Sequence, residues 1–170
     1  MVETYFKEKN IPYRLYEHPP VFTVADVFKL GLDMPGFGAK NLFLKNLAGT
    51  RYFLLVLPNT MKADLKAFAV IVGEKKVTFG SPEELMRYLS ITPGSVSLCC
   101  LLNDTEKVVM PFVHEAVMDA EIMHLHPNRN TASVELTKDA FAQFLASLER
   151  PIERVTEAQM PLTPRLDTPQ

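Results

Sequence analysis

Lys40 and Asn41 open the run "KNLFLKN", where a loop containing "PGFG" enters an apolar segment. Polar side chains at such an entrance ride on a backbone anchored by Leu42, Phe43 and Leu44, which suits a functional pair. The lysine supplies a point positive charge able to hold one phosphate, and the asparagine amide offers a donor and an acceptor. An exposed strand-end lysine beside a turn-forming asparagine fits the same spacing, so spacing alone leaves both readings open. His126, followed by "PNRN", falls at an expected strand-to-loop junction, where a neutral imidazole can donate to or accept from a small polar ligand. A plain loop histidine fits there as well. His18 precedes Pro19 and Pro20, whose rigidity directs the ring either into a site wall or around a corner of chain. His124 and His126 lie two apart on one strand face, half of a metal site with no convincing third ligand, and no metal is expected. In "TPGSVS", Gly94 and Ser95 precede an apolar run, and glycine permits the close backbone approach by which N–H groups recognise an oxyanion or ester. The chain has no G-x-S-x-G elbow, P-loop or dinucleotide glycine fingerprint, which argues against the common nucleophilic and nucleotide-dependent enzymes; no cofactor is expected.

The elements that must position these residues follow from periodicity and caps. Residues 2–9 read as a short amphipathic helix and "YRLYEH" as a strand, broken by the two prolines. Thr23 is placed to cap a helix running to Leu30, with Asp26 three residues on and Gly31 at its end. Residues 40–46 and 51–57 flank "LAG" as a hairpin apolar enough to lie at the centre of a sheet. A helix is expected over 61–72 and a strand over 75–79. "SPEEL" then starts a helix, with Ser81 as cap, Pro82 in the first turn and Glu84 closing the box. Strand candidates follow near 95–102, 107–113, 121–126 and 131–136, with Asn103 and Asp104 turning the chain between the first two. Thr137 caps a last helix in which Phe141, Phe144, Leu145 and Leu148 recur at helical spacing as a core-facing stripe. Residues 161–170, "PLTPRLDTPQ", read as a flexible tail, leaving one domain over 1–160. Alternating helices and strands with several hairpins give a mixed α/β or α+β class.

With 170 residues, 47% of them hydrophobic and 22% charged, the chain has the material for a single buried core. A formal net charge of -2 argues against coating nucleic acid by bulk charge, so any polyanion contact is local. The only cysteines, Cys99 and Cys100, are neighbours that would point to opposite faces of a strand, which excludes a disulfide framework and suits a reducing cytoplasm. No apolar run approaches the roughly 20 residues that span a bilayer, and no secretion signal or membrane span is inferred.

Taken in order, "HPPVFTV", "MPG", "KNLFLKN", "TPGSV", "LLNDTEK" and "HPNRNTASV" resemble the YbaK family of trans-acting prolyl-tRNA editing proteins over about residues 5–150. The resemblance implies a YbaK-like domain, a central mixed, partly barrel-like sheet flanked by helices, that hydrolyses the ester of mischarged proline tRNA, with alanine as the amino acid removed. It implies that Lys40, Asn41 and His126 are the catalytic residues, and that His18, Phe22, Lys45, Gly94 and Ser95 bind substrate. The partner it implies is the tRNA acceptor end, with prolyl-tRNA synthetase as a further candidate and neither DNA nor membrane. Lys45, Arg51 and Arg129 are candidate helpers on the tRNA backbone, although each also reads as a solvated charge. The loop departs from the family's G-x-x-x-P, reading Gly94-Ser95-Val96-Ser97-Leu98. A cysteine-specific deacylase, a non-catalytic tRNA- or synthetase-binding module and a purely structural domain remain as alternatives.

Overall fold

The structure is a computed structural model that describes residues 1–20, 37–161 and 163–164. Phe22 and the helix expected from Thr23 lie outside the described residues.

One eight-stranded mixed sheet organises the chain. After helix α1 (Val2–Glu8), strand β1 (Arg14–Glu17) leads to β2 (Phe37–Asn46) and β3 (Tyr52–Pro58), the expected hairpin, paired from Ala39 with Pro58 to Lys45 with Tyr52. Next come β4 (Met61–Lys62), α2 (Leu65–Ile71), β5 (Val77–Phe79) and α3 (Pro82–Leu89). A 3-10 helix (Leu98–Leu102) is followed by β6 (Val109–His114), α4 (Glu115–Met118), β7 (Ile122–Leu125), β8 (Ala132–Thr137) and α5 (Lys138–Ser147). Short strands β9 (Glu153–Val155) and β10 (Thr163–Pro164) complete the described chain. The sheet runs β1-β8-β7-β2-β3-β6-β9, with β5 pairing β2; its path has two ends and is not a closed barrel. The β2/β7, β3/β6 and β6/β9 pairs are parallel.

Local signals account for most of the helices. The Ser81 hydroxyl accepts from Glu84 N–H at 3.2 Å while the Glu84 carboxylate accepts from Ser81 N–H at 2.7 Å, the reciprocal box expected from "SPEE". Thr137 caps α5 by accepting from Ala140 N–H at 3.3 Å, and Phe141, Phe144, Leu145 and Leu148 are buried beneath it. Two expectations change. The helix expected from residue 61 starts at Leu65, because Asp64 accepts from the N–H groups of Lys66 and Ala67, both at 3.0 Å, and Met61–Lys62 are extended against Thr163–Pro164. The strand expected over 95–102 is a 3-10 helix. Ser97 accepts from Cys99 N–H at 3.1 Å and starts a turn whose Leu98, Cys99, Cys100 and Leu101 all enter the core. Cys99 and Cys100 are thus buried together, not divided between two faces of a strand, and burial pushes the Cys99 thiol up to about 12.

The sheet separates two apolar clusters. The larger holds Phe6, Phe43, Leu54, Val56, Met123, Leu125, Val134, Leu136, Phe141 and Phe144, and α1, α3, α5 and the 3-10 helix pack into it. The smaller, with Leu44, Phe53, Leu55, Leu57, Phe68 and Phe112, lies on the other face beneath α2. Phe53, Phe68 and Phe112 meet edge to face there, with centroids 5.1–6.0 Å apart. Among the described residues no helix is long and apolar enough to cross a membrane.

Candidate functional site

Strand β2 pairs with β7 only through Phe37 with Met123 and Gly38 with His124, then turns to pair with β5 from Leu44 to Asn46. A split therefore opens in the sheet. Continuing the parallel register by two residues sets Lys40 level with His126 across that split.

The two faces of β2 divide its polar pair. Lys40, paired with Leu57, emerges on the side of Leu44 and the smaller cluster, and its Nζ donates to the Met61 carbonyl. Asn41, paired with Val56, emerges on the opposite side with Phe43 and the larger cluster. The two side chains are neighbours along the strand but do not share a face. Asn41 Nδ2 donates weakly to the Ala39 carbonyl at 3.4 Å, and its buried Oδ1 has no hydrogen-bond partner among the described residues. An acceptor in that state is poised to receive a donor.

His126 and His18 meet across the other side of the split, with ring centroids 6.4 Å apart. Strand β1 pairs antiparallel with β8, and His18 N–H continues that ladder to the Thr131 carbonyl at 3.0 Å. His18 Nδ1 lies 2.9 Å from the Pro19 carbonyl and Nε2 lies 3.0 Å from Ser133 Oγ. A carbonyl only accepts, so Nδ1 carries the proton and Nε2 accepts from the serine. His126 Nδ1 likewise donates to the Ala132 carbonyl at 3.2 Å, which leaves its Nε2 as an acceptor. Burial holds His126 below the ordinary imidazole range; its bond to the Ala132 carbonyl opposes this and the neighbouring His18 ring adds to it. The ring is neutral at pH 7. His124 turns instead towards Glu135, 3.8 Å away, and stacks edge-on against Tyr16. Among the described residues no three His, Cys, Asp or Glu side chains are grouped to hold a metal ion.

The "TPGS" loop comes to the same region. Thr92–Ser95 form a turn closed by Ser95 N–H on the Thr92 carbonyl at 3.3 Å, with Pro93 second and Gly94 third at φ 90°, a value that favours glycine. Ser97 Oγ donates to the His126 carbonyl at 2.5 Å and ties this loop to the end of β7. Ser97 and Ser133 hold the site's backbone and His18 respectively, yet neither stood out in the sequence; the signal was only that each lies in a segment flanking a candidate residue. An open groove of about 540 Å³ lined by Pro82, Met86, Arg87, Ile91 and Pro93 adjoins this turn and does not include Lys40 or His126.

Lys45 is not brought to the split. It lies five residues beyond Lys40, roughly 16 Å along the strand, and both Glu84 carboxylate oxygens accept from its Nζ at 2.8 Å. The Lys45 ammonium first, then Ser81 N–H and the Tyr52 hydroxyl, hold Glu84 at about 2, below its ordinary 4.5. A depressed carboxylate stabilises the fold above its unfolded value and loses that contribution as pH falls towards 2. Glu84→Gln is expected to unfold a few degrees lower than the parent at pH 7, for a loss of about 1 kcal/mol. The two melting curves should converge as pH approaches 2, which calorimetry at several pH values would read. Arg51 pairs with Glu74 at 2.8 Å, and Arg129 pairs with Glu3 and reaches towards Glu17, so these two helpers are also engaged within the fold.

A mixed sheet split between parallel strands, with a lysine, a neutral histidine and a glycine-bearing turn at the opening, fits a protein that holds a small acyl group on a larger polyanion. Residues 18–144 match the aminoacyl-tRNA editing domain family, and the chain belongs to that family. It is 34% identical over 130 residues to the prolyl-tRNA editing protein ProX of Acetoanaerobium sticklandii, covering 76% of this chain and 79% of the relative. It is 29% identical over 151 residues to prolyl-tRNA synthetase associated domain-containing protein 1 of Danio rerio, 85% of this chain and 79% of that one. The fold matches the crystal structure of hypothetical protein APE2540 with a TM-score of 0.69 at 17% identity, over 90% of this chain and 96% of the other. A candidate trans-editing enzyme for prolyl tRNA synthetase matches with a TM-score of 0.67 at 15% identity, over 91% and 92%. The YbaK-like fold and editing-family membership expected from the motifs both hold, and with the family comes its chemistry, deacylation of aminoacyl-tRNA.

Proposed function

We propose that the chain is a cytoplasmic trans-editing deacylase that removes alanine from mischarged proline tRNA. The observation that carries this reading is the 34% identity to a prolyl-tRNA editing protein over 130 residues, with Lys40, the Thr92–Ser95 turn and His126 all inside residues 18–144 that match the editing domain. The need for such an enzyme is physical: a pocket shaped for proline cannot strongly exclude a smaller amino acid, since missing methylenes change binding by only about 1–3 kcal/mol. A second pocket that rejects proline by size completes the discrimination.

In this mechanism Lys40 holds a phosphate of the acceptor end at the mouth of the split. The Asn41 amide oxygen and backbone N–H groups near Gly94 position the aminoacyl ester from the other face, and His126 orders the pocket through its accepting Nε2. Water attacks the ester carbonyl directly. Support for direct attack comes from the side chains nearby: Cys99 is buried with a raised pKa, and Ser97 spends its proton on the His126 carbonyl, so neither is an activated nucleophile. The ribose hydroxyl next to the ester is then placed to orient the water or stabilise the oxyanion. Prolyl-tRNA synthetase is a natural partner for delivering the substrate, in keeping with the name of the Danio rerio relative.

The test compares alanyl, cysteinyl and prolyl esters of proline tRNA with purified protein. Loss of alanine at least tenfold faster than the other two is the expected result. Preferential loss of cysteine would assign the other deacylase specificity, and survival of all three esters would remove the catalytic reading.

A further inference from the structure

We propose that the segment covering the smaller apolar cluster, from Met61 to Phe79, is the docking surface for the RNA duplex that adjoins the aminoacylated end, with Lys62, Lys66, Lys75 and Lys76 as its phosphate contacts. The inference rests on the deacylase reading above and extends it to how the polyanion is held.

Charge balance sets this segment apart. Seven cations elsewhere are taken by carboxylates: Arg14 by Glu135, Lys45 by Glu84, Arg51 by Glu74, Arg129 by Glu3, Arg150 by Asp104, Arg154 by Asp119 and Lys138 by Glu121. Lys62, Lys66, Lys75 and Lys76 are all exposed and form no ion pair among the described residues. The acids between them are occupied. Asp64 caps α2 through the N–H groups of Lys66 and Ala67, and Glu74 is held by Arg51 at 2.8 Å. In a chain of net charge -2, four unneutralised lysines within fifteen residues make a local cationic surface.

The fold points that surface outward and starts it at the site. Phe68 and Ala69 of α2 and Val72 at its C-cap face the cluster below, whereas Lys66 and the 79% exposed Val70, four residues apart, share the outer face. Lys62 directly follows Met61, whose carbonyl accepts from Lys40. At the other end, Val77 pairs with Asn46, six residues along β2 from Lys40. At about 3.3 Å per residue, the lysines therefore extend roughly 20 Å from the opening of the split. Phosphate contacts of this kind position a nucleic acid without reading its sequence, and they make binding depend on salt.

The experiment measures retention of proline tRNA on filters from 50 to 200 mM NaCl for the parent, Lys62→Gln/Lys66→Gln, Lys75→Gln/Lys76→Gln and the fourfold variant. Deacylation of alanyl-tRNA and of 3′-alanyl-adenosine, which has no duplex, is followed in the same preparations. Each pair is expected to weaken tRNA binding about 3–10-fold at 100 mM salt and to flatten the plot of log affinity against log salt by nearly one unit per lysine. Hydrolysis of alanyl-adenosine should stay at the parent rate. Unchanged affinity and salt slope in the fourfold variant would overturn the docking surface, whatever the hydrolysis. Salt-dependent binding lost in the variants while the parent leaves every ester intact would keep the surface and defeat the deacylase reading.

Discussion

Lys40→Ala is expected to lower kcat/KM for deacylation of alanyl-tRNA by about 10²–10³-fold while leaving the protein folded. Lys40 fixes the acceptor-end phosphate and through it the position of the ester, and losing one preorganised contact of a catalytic site costs about 2.7–4 kcal/mol at 1.36 kcal/mol per decade. Within the fold Lys40 Nζ donates to the Met61 carbonyl, a neutral acceptor next to the exposed Lys62. Such a bond contributes about 0.5–1.5 kcal/mol, or more with a charged donor. A melting temperature within a few degrees of the parent, together with the large kinetic loss, is the signature of a substrate-handling residue. Lys40→Arg is the sharper control. Its planar fork cannot occupy the space of a compact ammonium beside the Met61 carbonyl, so it should restore charge and tRNA affinity without restoring most of kcat. If Lys40→Ala turned over alanyl-tRNA at the parent rate, the site would have to be sought elsewhere, first at the accepting Nε2 of His126.

How much of this was legible in the sequence depended on how local the cause was. The Ser81 box, the Thr137 cap and the hairpin around "LAG" rest on neighbours within a few residues, and all form as read. The run "LCCLL" carries no alternation, so its pattern cannot separate a buried strand from a buried turn; Ser97 decides it by capping Cys99 N–H. The β2–β7 pairing joins residues more than eighty apart and opens the split, and no local pattern announces it. Strand β9, which adds a parallel edge next to β6, is equally non-local. Within the site, residue types were readable from motif order, but partners were not: Lys45 finds Glu84, Arg129 finds Glu3 and His18 finds Ser133, each across at least 39 residues. The separation of Lys40 from Asn41 is different. It follows from the two-residue period of a strand, and only the extent of β2 had to be known for it to be drawn.

The largest effect on stability is expected at Asp104, which the sequence marks only as a turn residue. Its carboxylate accepts from Val108 N–H and Val109 N–H, both at 2.9 Å, and from Arg150 at 2.8 Å, with side-chain exposures of 2% and 3% for the pair. These bonds fasten the start of β6 to the segment that follows α5, a join between residues 46 apart in sequence. Asp104→Ala frees two backbone donors and strands a buried guanidinium, whose Nη1 has no hydrogen-bond partner among the described residues. Breaking a buried pair from one side costs about 3–5 kcal/mol, which for a chain of this length corresponds to a fall in melting temperature of roughly 6–20 °C. Arg150→Met tests the other side with a different outcome. It strands a carboxylate that keeps its two backbone donors, so the loss should be smaller than for Asp104→Ala. The double variant should be less destabilised than the sum of the two, because each change relieves the charge that the other leaves unpaired. Denaturant unfolding of the four proteins gives that coupling directly. Strict additivity would mean that the carboxylate acts through Val108 and Val109 alone, as a turn cap with an incidental arginine beside it.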